Sequence, residues 1–162
     1  MRSLNFPPNF GLTKGFSLIE LIIVTTVILI LSSISLSTFF NVSDNQSLSK
    51  DTEYTISLIQ KARTQTINAY NNSRYSILFA SSTVTLFQGT TYSSTSPSNI
   101  QFGLSSKVQI SSINLTGGTQ QVSFDFITGK ASATGTVTFI LKSNASASDT
   151  IMLYKTGLAE IL

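Results

Sequence analysis

The residues around position 15 carry the chemistry that this sequence offers. Lys14, Gly15 and Phe16 lead into an apolar run, and Glu20 is a lone carboxylate within its first residues. Gly15 is the small residue that precedes the run. An ionisable side chain inside an apolar segment is costly and indicates a function that involves a partner. Glu20 is therefore a candidate functional residue, and the Lys14–Gly15–Phe16 junction is the second feature to explain.

The element that must position these residues is an apolar helix. Sixteen of the 25 residues from 16 to 40 are Phe, Leu, Ile or Val, and residues 21–40 carry no charge. A helix of about 20 residues spans about 30 Å, which is the thickness of the hydrocarbon layer of a bilayer. Arg2 and Lys14 precede the run, and the next basic residue is Lys50. We therefore predict a membrane helix with a cytoplasmic N-terminus and the rest of the chain outside.

The composition excludes most catalytic chemistry. The 162 residues include no Cys, no His and no Trp, while 48 are Ser or Thr. These absences remove disulfides, thiol catalysis, Cys/His zinc sites and histidine acid–base chemistry. Asp51 and Glu53 are close in sequence, but residues two apart on a helix do not face each other. We expect no enzyme activity, no cofactor and no metal site.

A second helical segment follows the apolar run. Apolar residues recur at multiples of three to four residues, and Gly and Pro are absent from 16 to 88. This spacing predicts one amphipathic face, made by Leu48, Ile56, Ile59, Ala62, Ile67 and Tyr70. One helix is therefore predicted from Phe16 to about Asn71.

The last ninety residues alternate between apolar and polar side chains over short runs. Alternation predicts strands, and Gly, Pro and Asn residues between the runs predict turns. The predicted strands are 76–79, 83–87, 107–110, 113–115, 122–126, 137–141 and 151–154. The phase shifts by one residue at Ser111–Ser112, which predicts a β-bulge. The Ser/Thr-rich stretch 90–98 is predicted to be an exposed loop. The expected fold class is α+β, a long helix against an antiparallel sheet.

The residues at the start of the apolar run resemble the class III signal of type IV prepilins and type II secretion pseudopilins. That signal is a short basic leader ending in Gly, then Phe, then a glutamate in the first turn of an apolar helix. The resemblance implies cleavage between Gly15 and Phe16 by a membrane prepilin peptidase and N-methylation of Phe16. Lys14 is the corresponding leader charge. Glu20 is implied to meet the Phe16 amine of a neighbouring subunit during assembly.

The resemblance also implies the layout of the chain, the pilin fold. A leader peptide occupies 1–15, a transmembrane and filament-core helix 16–40, the amphipathic half of the helix 41–72, and a β-rich head 73–162. The implied partners are prepilin peptidase, other pilin or pseudopilin subunits, the inner-membrane assembly platform and membrane lipid. The implied location is a single-pass membrane protein that later enters an extracytoplasmic filament.

The head resembles that of GspH/FimT-like minor pilins. The similar segments are 58–79, 122–130, which ends in Gly129 and Lys130, and 151–158, which includes Gly157. Classical major pilins often have a Cys pair in the head and Gly or Pro within the membrane half of the helix, and this chain has neither. The resemblance therefore favours a minor pilin or pseudopilin of a type IV pilus or type II secretion-like filament.

Several alternatives stay open at this point. A DNA-uptake pseudopilin is one, although the mature chain from Phe16 onward has eight basic and seven acidic residues and its tail lacks arginine. With so low a net charge, few counterions would be released when the chain binds DNA, so the affinity would be low. We therefore do not expect nucleic acid as a partner. A major pilin is another. An ordinary secretory signal would have a shorter core without an acid, and a plain membrane anchor would give Glu20 no role.

Overall fold

A long helix begins the part of the chain that the structure describes. The computed structural model describes residues 15–162, except for the side chains of 34–41. Helix α1 spans Leu18–Ile67, and no Gly or Pro interrupts it. It ends before Ala69, whose φ of 47° belongs to the left-handed region, and a short 3-10 helix follows over Tyr70–Asn72. The single long helix predicted from the sequence is thus confirmed over 18–67.

The chain divides into two compact units that meet in sequence at Phe40 and Asn41. Within the described residues, no helix is both long enough and apolar enough to cross a membrane. The membrane helix predicted over 16–40 includes residues 34–40, whose side chains lie outside the described part of the structure.

The head is built of strands, eight of which lie within residues 15–162. They are β1 (Tyr75–Ala80), β2 (Thr83–Gln88), β3 (Ile100–Gly103), β4 (Val108–Leu115), β5 (Gln121–Ser123), β6 (Gly135–Leu141), β7 (Ser148–Leu153) and β8 (Ala159–Ile161). Every pairing between them is antiparallel. The predicted α+β class is confirmed.

The strands form two four-stranded sheets, where the sequence pattern indicated simply an antiparallel sheet. Their strand orders are β3-β2-β1-β5 and β4-β6-β7-β8. The register of β4 against β6 shifts between Ile110 and Ser112, so the predicted bulge is confirmed, and it joins two predicted strands into one. The stretch 90–98 contains no strand, as expected. Strands β3 and β8 were not predicted.

One apolar core joins the helix to both sheets. Ile59 of α1, Phe79 of β1 and Phe139 of β6 belong to the same buried cluster. Burial of each such side chain stabilises the fold by roughly 1.5–3 kcal/mol. The alternation predicted for β6 is confirmed, because Val137, Phe139 and Leu141 are all buried.

The buried face of α1 differs in part from the predicted one. Leu48, Ile59 and Ala62 are buried as expected, but Tyr70 is 55% exposed, so its place on that face was wrong. Tyr70 lies beyond the end of α1, where the helical period no longer holds. Three threonines share the buried face with the apolar residues: Thr52, Thr55 and Thr66.

Candidate functional site

The start of α1 has the geometry of a capped helix. Ser17 precedes the helix, and its Oγ accepts the N–H of Glu20 at 3.4 Å. Its carbonyl oxygen accepts the N–H of Leu21 at 3.2 Å. Ser followed three residues later by Glu is the spacing of a capping box. The hydroxyl of Ser17 therefore caps the start of α1, two residues after Gly15.

Gly15 and Phe16 lie outside the helix, in extended or irregular chain. Phe16 is 87% exposed. A Cβ added at Gly15 would meet no described atom within 4 Å. Contacts with the described residues therefore do not dictate glycine at 15. Lys14, the predicted leader charge, lies outside the described residues.

Glu20 lies in the first turn of α1, and no other acidic residue does. A carboxylate there interacts favourably with the positive end of the helix dipole. Glu20 thus has a local role at the start of the helix, which the sequence analysis missed. The Ser17–Glu20 spacing, which is typical of a helix start, could have indicated it. This local role leaves the carboxylate exposed.

The first turns of α1 expose large apolar side chains on all sides. From Phe16 to Leu31, the large apolar residues are 48–87% exposed. The hydroxyls of Thr25 and Thr26 bond the Ile22 carbonyl at 3.0 and 2.8 Å, and Ser33 bonds that of Ile30 at 2.7 Å. These polar groups are satisfied within their own helix.

Farther along α1, Asp44 fixes the helix to the head. Lys107 Nζ lies 2.7 Å from Asp44 Oδ1 and donates to Ser43 Oγ at 3.4 Å. Ser143 Oγ donates to Asp44 Oδ2 at 3.3 Å. The hydrogen bond from Lys107 lowers the pKa of Asp44 below its usual value. Asp44 therefore holds the loops before β4 and after β6.

Asp51 makes a second contact two turns later on the same face of α1. Its side chain is nearly buried, at 8% exposed. Asp51 Oδ2 accepts the backbone N–H of Ser105 at 2.7 Å. Burial raises the pKa of Asp51, although the Ser105 hydrogen bond acts in the opposite direction. The carboxylate thus satisfies an otherwise unpaired backbone donor between β3 and β4.

The C-terminal part of α1 makes a third contact, through Arg63. Its Nε–H is shared by the carbonyl oxygens of Gly129 and Thr156, each at 3.2 Å. Gly129 and Gly157 both have a left-handed φ, +63° and +80°. An added Cβ at Gly129 would lie 2.6 Å from Ile67 Cδ1, and one at Gly157 would overlap the Gly129 carbonyl oxygen. Glycine is therefore required where both turns meet Arg63.

Thr66 makes the fourth contact and starts the first sheet. Its Oγ1 accepts the backbone N–H of Tyr75 at 2.8 Å and donates to the Ala62 carbonyl at 2.9 Å. Thr66 is fully buried. We call Asp44, Asp51, Arg63 and Thr66 the anchor residues. They hold the head against the later turns of α1. Sequence analysis found none of them, because the partners of Asp44, Asp51 and Arg63 are distant in sequence and Thr66 was counted as a polar residue.

Most of the basic residues after Phe16 make contacts within the chain. Of the eight that follow Phe16, five donate to acceptors of the same chain: Arg63, Arg74, Lys107, Lys142 and Lys155. Arg74, for example, lies 3.5 Å from Asp125 and stacks over the Phe126 ring at 5.5 Å. Among the described side chains, no group of three or more acidic residues is placed to hold a metal ion.

Comparison with known proteins supports the fold. The structure is similar to the crystal structure of the type IV minor pilin FimU from Pseudomonas aeruginosa, with a TM-score of 0.52 and 10% sequence identity. The similarity covers 71% of this chain and 92% of that one. No protein-family model and no curated protein matches the chain. The chain therefore has a type IV pilin-like fold, and the resemblance seen in its N-terminal motif is confirmed at the level of the fold.

Proposed function

We propose that the chain is a structural subunit, a minor pilin or pseudopilin, of a type IV pilus or type II secretion-like filament. The observation that carries the proposal is the position of the Gly15–Phe16 motif. It lies directly before the capped start of a long helix whose later turns hold a head with the fold of a minor pilin. Two independent features, a local motif and a whole-domain fold, therefore agree on one family.

In this proposal prepilin peptidase removes residues 1–15 and N-methylates Phe16. The conformation at the junction supports it, because Gly15 and Phe16 are exposed and precede the first helical turn. Proteases bind their substrates in extended conformations, which residues inside a helix do not offer. No contact with the described residues dictates glycine at 15, and this proposal assigns that glycine to the cleft of the peptidase.

Residues 16–40 then hold the chain in the membrane until assembly and form the filament core afterwards. The uncharged run 21–40 and the exposed apolar side chains before Leu31 support this part of the proposal. Bare apolar surface of this extent is unstable in water and is covered by lipid or by neighbouring helices. The inner-membrane assembly platform moves the subunit from lipid to filament, where other pilin or pseudopilin subunits surround it. Residues 41–72 then carry the head 73–162 at the extracytoplasmic surface.

Glu20 has two roles in this proposal. Locally its carboxylate lies at the positive end of the dipole of α1. In the filament its carboxylate meets the Phe16 amine of a neighbour, since an unpaired charge in an apolar bundle is costly. Glu20→Gln keeps the size of the side chain and the Ser17 cap but removes the charge on which the filament role depends.

The test of the proposal is leader cleavage in the Gly15→Val variant. A branched side chain blocks the narrow cleft, so the variant keeps residues 1–15 in intact mass spectra of membrane fractions. Gly103→Val is the matched control, because a Cβ there also meets nothing within 4 Å and its φ is not left-handed. We expect Gly103→Val to be cleaved like the parent. Equal yields of mature chain from Gly15→Val and the parent would contradict the proposal.

A further inference from the structure

Five asparagines of this chain stand in the pattern Asn-x-Ser/Thr, the acceptor motif for N-linked glycans. They are Asn41, Asn45, Asn71, Asn114 and Asn144. Because 48 of the 162 residues are Ser or Thr, about three of the ten asparagines would carry the motif by chance. The motif alone therefore selects none of the five, and the surroundings of each asparagine decide whether it can accept a glycan.

Two of the motifs lie in regular secondary structure. An enzyme that modifies a folded chain needs an exposed loop, since the backbone of a helix or strand is held by its own hydrogen bonds, and it binds the hydroxyl of the motif. Asn45 lies within α1, where the Ser47 hydroxyl bonds a carbonyl of the same helix at 3.0 Å. Asn114 lies within β4, and the Thr116 hydroxyl bonds a backbone carbonyl at 2.9 Å. Neither motif is free to enter an active site.

The motif at Asn71 follows the end of α1, and its hydroxyl is also engaged. Ser73 Oγ donates to the Asn71 carbonyl at 3.2 Å and accepts a hydrogen bond from Gln88 Nε2 at 2.7 Å. The side chain of Asn41 lies outside the described residues. Among the four motifs whose asparagine side chain the structure describes, three are therefore held by contacts of their own hydroxyl.

The fourth motif, Asn144-Ala145-Ser146, lies at the tip of the loop between β6 and β7. Residues 142–146 of this loop are all exposed. Within the described part of the chain, the side chains of Asn144 and Ser146 make a single hydrogen bond, in which Asn144 Oδ1 accepts the Ser146 N–H at 3.1 Å. Asn144 Nδ2 and Ser146 Oγ, the two atoms that glycan transfer requires, are thus both available to an enzyme.

The base of this loop is held by the head, so a group added at its tip leaves the fold intact. Lys142 Nζ donates to the Ser106 carbonyl at 3.0 Å, and Ser143 Oγ donates to Asp44 Oδ2 at 3.3 Å. Neither Asn144 nor Ser146 belongs to the apolar core. A glycan at Asn144 therefore displaces no packed side chain.

The composition of the chain supplies a physical reason for such a group. Charged residues make up 10% of the sequence, against about 25% in a typical soluble domain. Surface charge normally keeps an exposed domain hydrated and soluble. A glycan is bulky and strongly hydrated, so it performs the same task without charge.

We propose that Asn144 carries an N-linked glycan, added outside the cytoplasm by a transferase that uses a lipid diphosphate-linked oligosaccharide. Asn144 Nδ2 attacks C1 of the first sugar, so that the N–C1 bond forms and the bond from C1 to the diphosphate oxygen breaks. The lipid diphosphate leaves, and one amide proton passes to a base of the transferase. Ser146 Oγ binds the transferase and positions the motif. The inference rests on the proposed function, because that function places the head outside the cytoplasm.

Peptide mass spectrometry of the full chain, purified from the membranes of its own cells, tests the site. We expect the tryptic peptide 143–155 to be heavier than its sequence and to fragment into sugar ions and a peptide modified at Asn144. Asn144→Gln and Ser146→Ala should lose the added mass, whereas Ser146→Thr, which keeps the hydroxyl, should retain it. Asn114→Gln is the matched control, because it removes a motif whose hydroxyl is engaged, and it should leave peptide 143–155 modified.

Two results would overturn the proposal: an unmodified peptide 143–155 in the parent, or added mass that persists in Asn144→Gln. Added mass that persists in Ser146→Ala would overturn the role of the Ser146 hydroxyl and, with it, the assignment to this class of transferase. Filament incorporation is measured in the same cells, and an unmodified chain in filaments overturns this inference alone. Absence of the parent from filaments overturns the proposed function, and a glycan at Asn144 of the membrane-bound chain would still support the site.

Discussion

Replacement of Arg63 by Met tests whether the anchor residues hold the head on the helix. The change keeps most of the aliphatic stem but removes the Nε–H that the carbonyls of Gly129 and Thr156 share at 3.2 Å. A hydrogen bond from a charged group contributes roughly 1.5–3 kcal/mol, and Arg63 is half-buried, so we expect a loss of about 2 kcal/mol. Without Arg63, both carbonyl oxygens need a water molecule as hydrogen-bond donor, and the turn at Gly157 is tight.

The assay is thermal unfolding of the full chain in detergent, followed by circular dichroism. For a unit the size of 41–162, a loss of 1 kcal/mol lowers Tm by roughly 4 °C, so Arg63→Met should lower it by about 8 °C. Lys61→Met is the matched control, since Lys61 is exposed on the same helix, and surface changes of that kind stay within about 0.5 kcal/mol. If Arg63→Met melts at the temperature of Lys61→Met, Arg63 does not anchor the head.

Further predictions concern assembly, pH and nucleic acid. Glu20→Gln and Glu20→Ala should be cleaved normally but should be absent from sheared filaments, since a buried pair with one partner removed costs about 3–5 kcal/mol. If the variants enter filaments as well as the parent does, Glu20 has no role in assembly. The raised pKa of Asp51 means that its folded form binds a proton more tightly, so its contribution to stability falls as pH rises above 3.8. Asp44 has a lowered pKa, and its contribution is present above 3.8 and is lost as pH falls below it. Asp51→Asn should therefore raise Tm at neutral pH while Asp44→Asn lowers it, and the same sign for both would contradict these assignments. Residues 41–162 should show no submicromolar binding to duplex DNA in gel-shift assays at physiological salt, and tight binding that weakens steeply with salt would contradict this.

The elements with strong periodicity were predictable from the sequence, and the exposed ones were not. Strand β6 alternates cleanly because one of its faces is buried. Strands β3 and β8 lie at sheet edges and are mostly exposed, so nothing imposes alternation on Ile100–Gly103 or Ala159–Ile161. A short edge strand is defined by its pairing with a distant segment, which local sequence does not encode.

The buried face of α1 was only partly predictable for a different reason. Thr52, Thr55 and Thr66 bond their hydroxyls to carbonyls four residues back, at 2.8–2.9 Å, and can therefore be buried on the face of α1 that covers the core. A prediction based on apolar spacing counts such residues as polar. Leu58 was missed for another reason. It is 3% exposed, but the predicted face included Ile56 and Ile59 and left Leu58 out.

In the candidate site, too, local features were predictable from the sequence and long-range contacts were not. The motif from Gly15 to Glu20 is local and was found from the sequence, while the anchors join residues far apart. Asp51 and Ser105 are 54 residues apart, and Arg63 and Gly129 are 66 apart. Gly129 and Gly157 were noted as part of a family pattern, but only the structure shows that they meet at Arg63. Contacts over such separations depend on the path of the chain through both sheets.

The most direct test of the filament proposal is the N-terminus of the chain found in filaments. Surface filaments are sheared from cells, purified, and analysed by intact mass spectrometry and N-terminal peptide sequencing. The proposal predicts a chain that begins at N-methylated Phe16 and lacks residues 1–15, with the uncleaved form confined to membranes. Filaments that lack the chain, or a chain that begins at any residue other than Phe16, would contradict it.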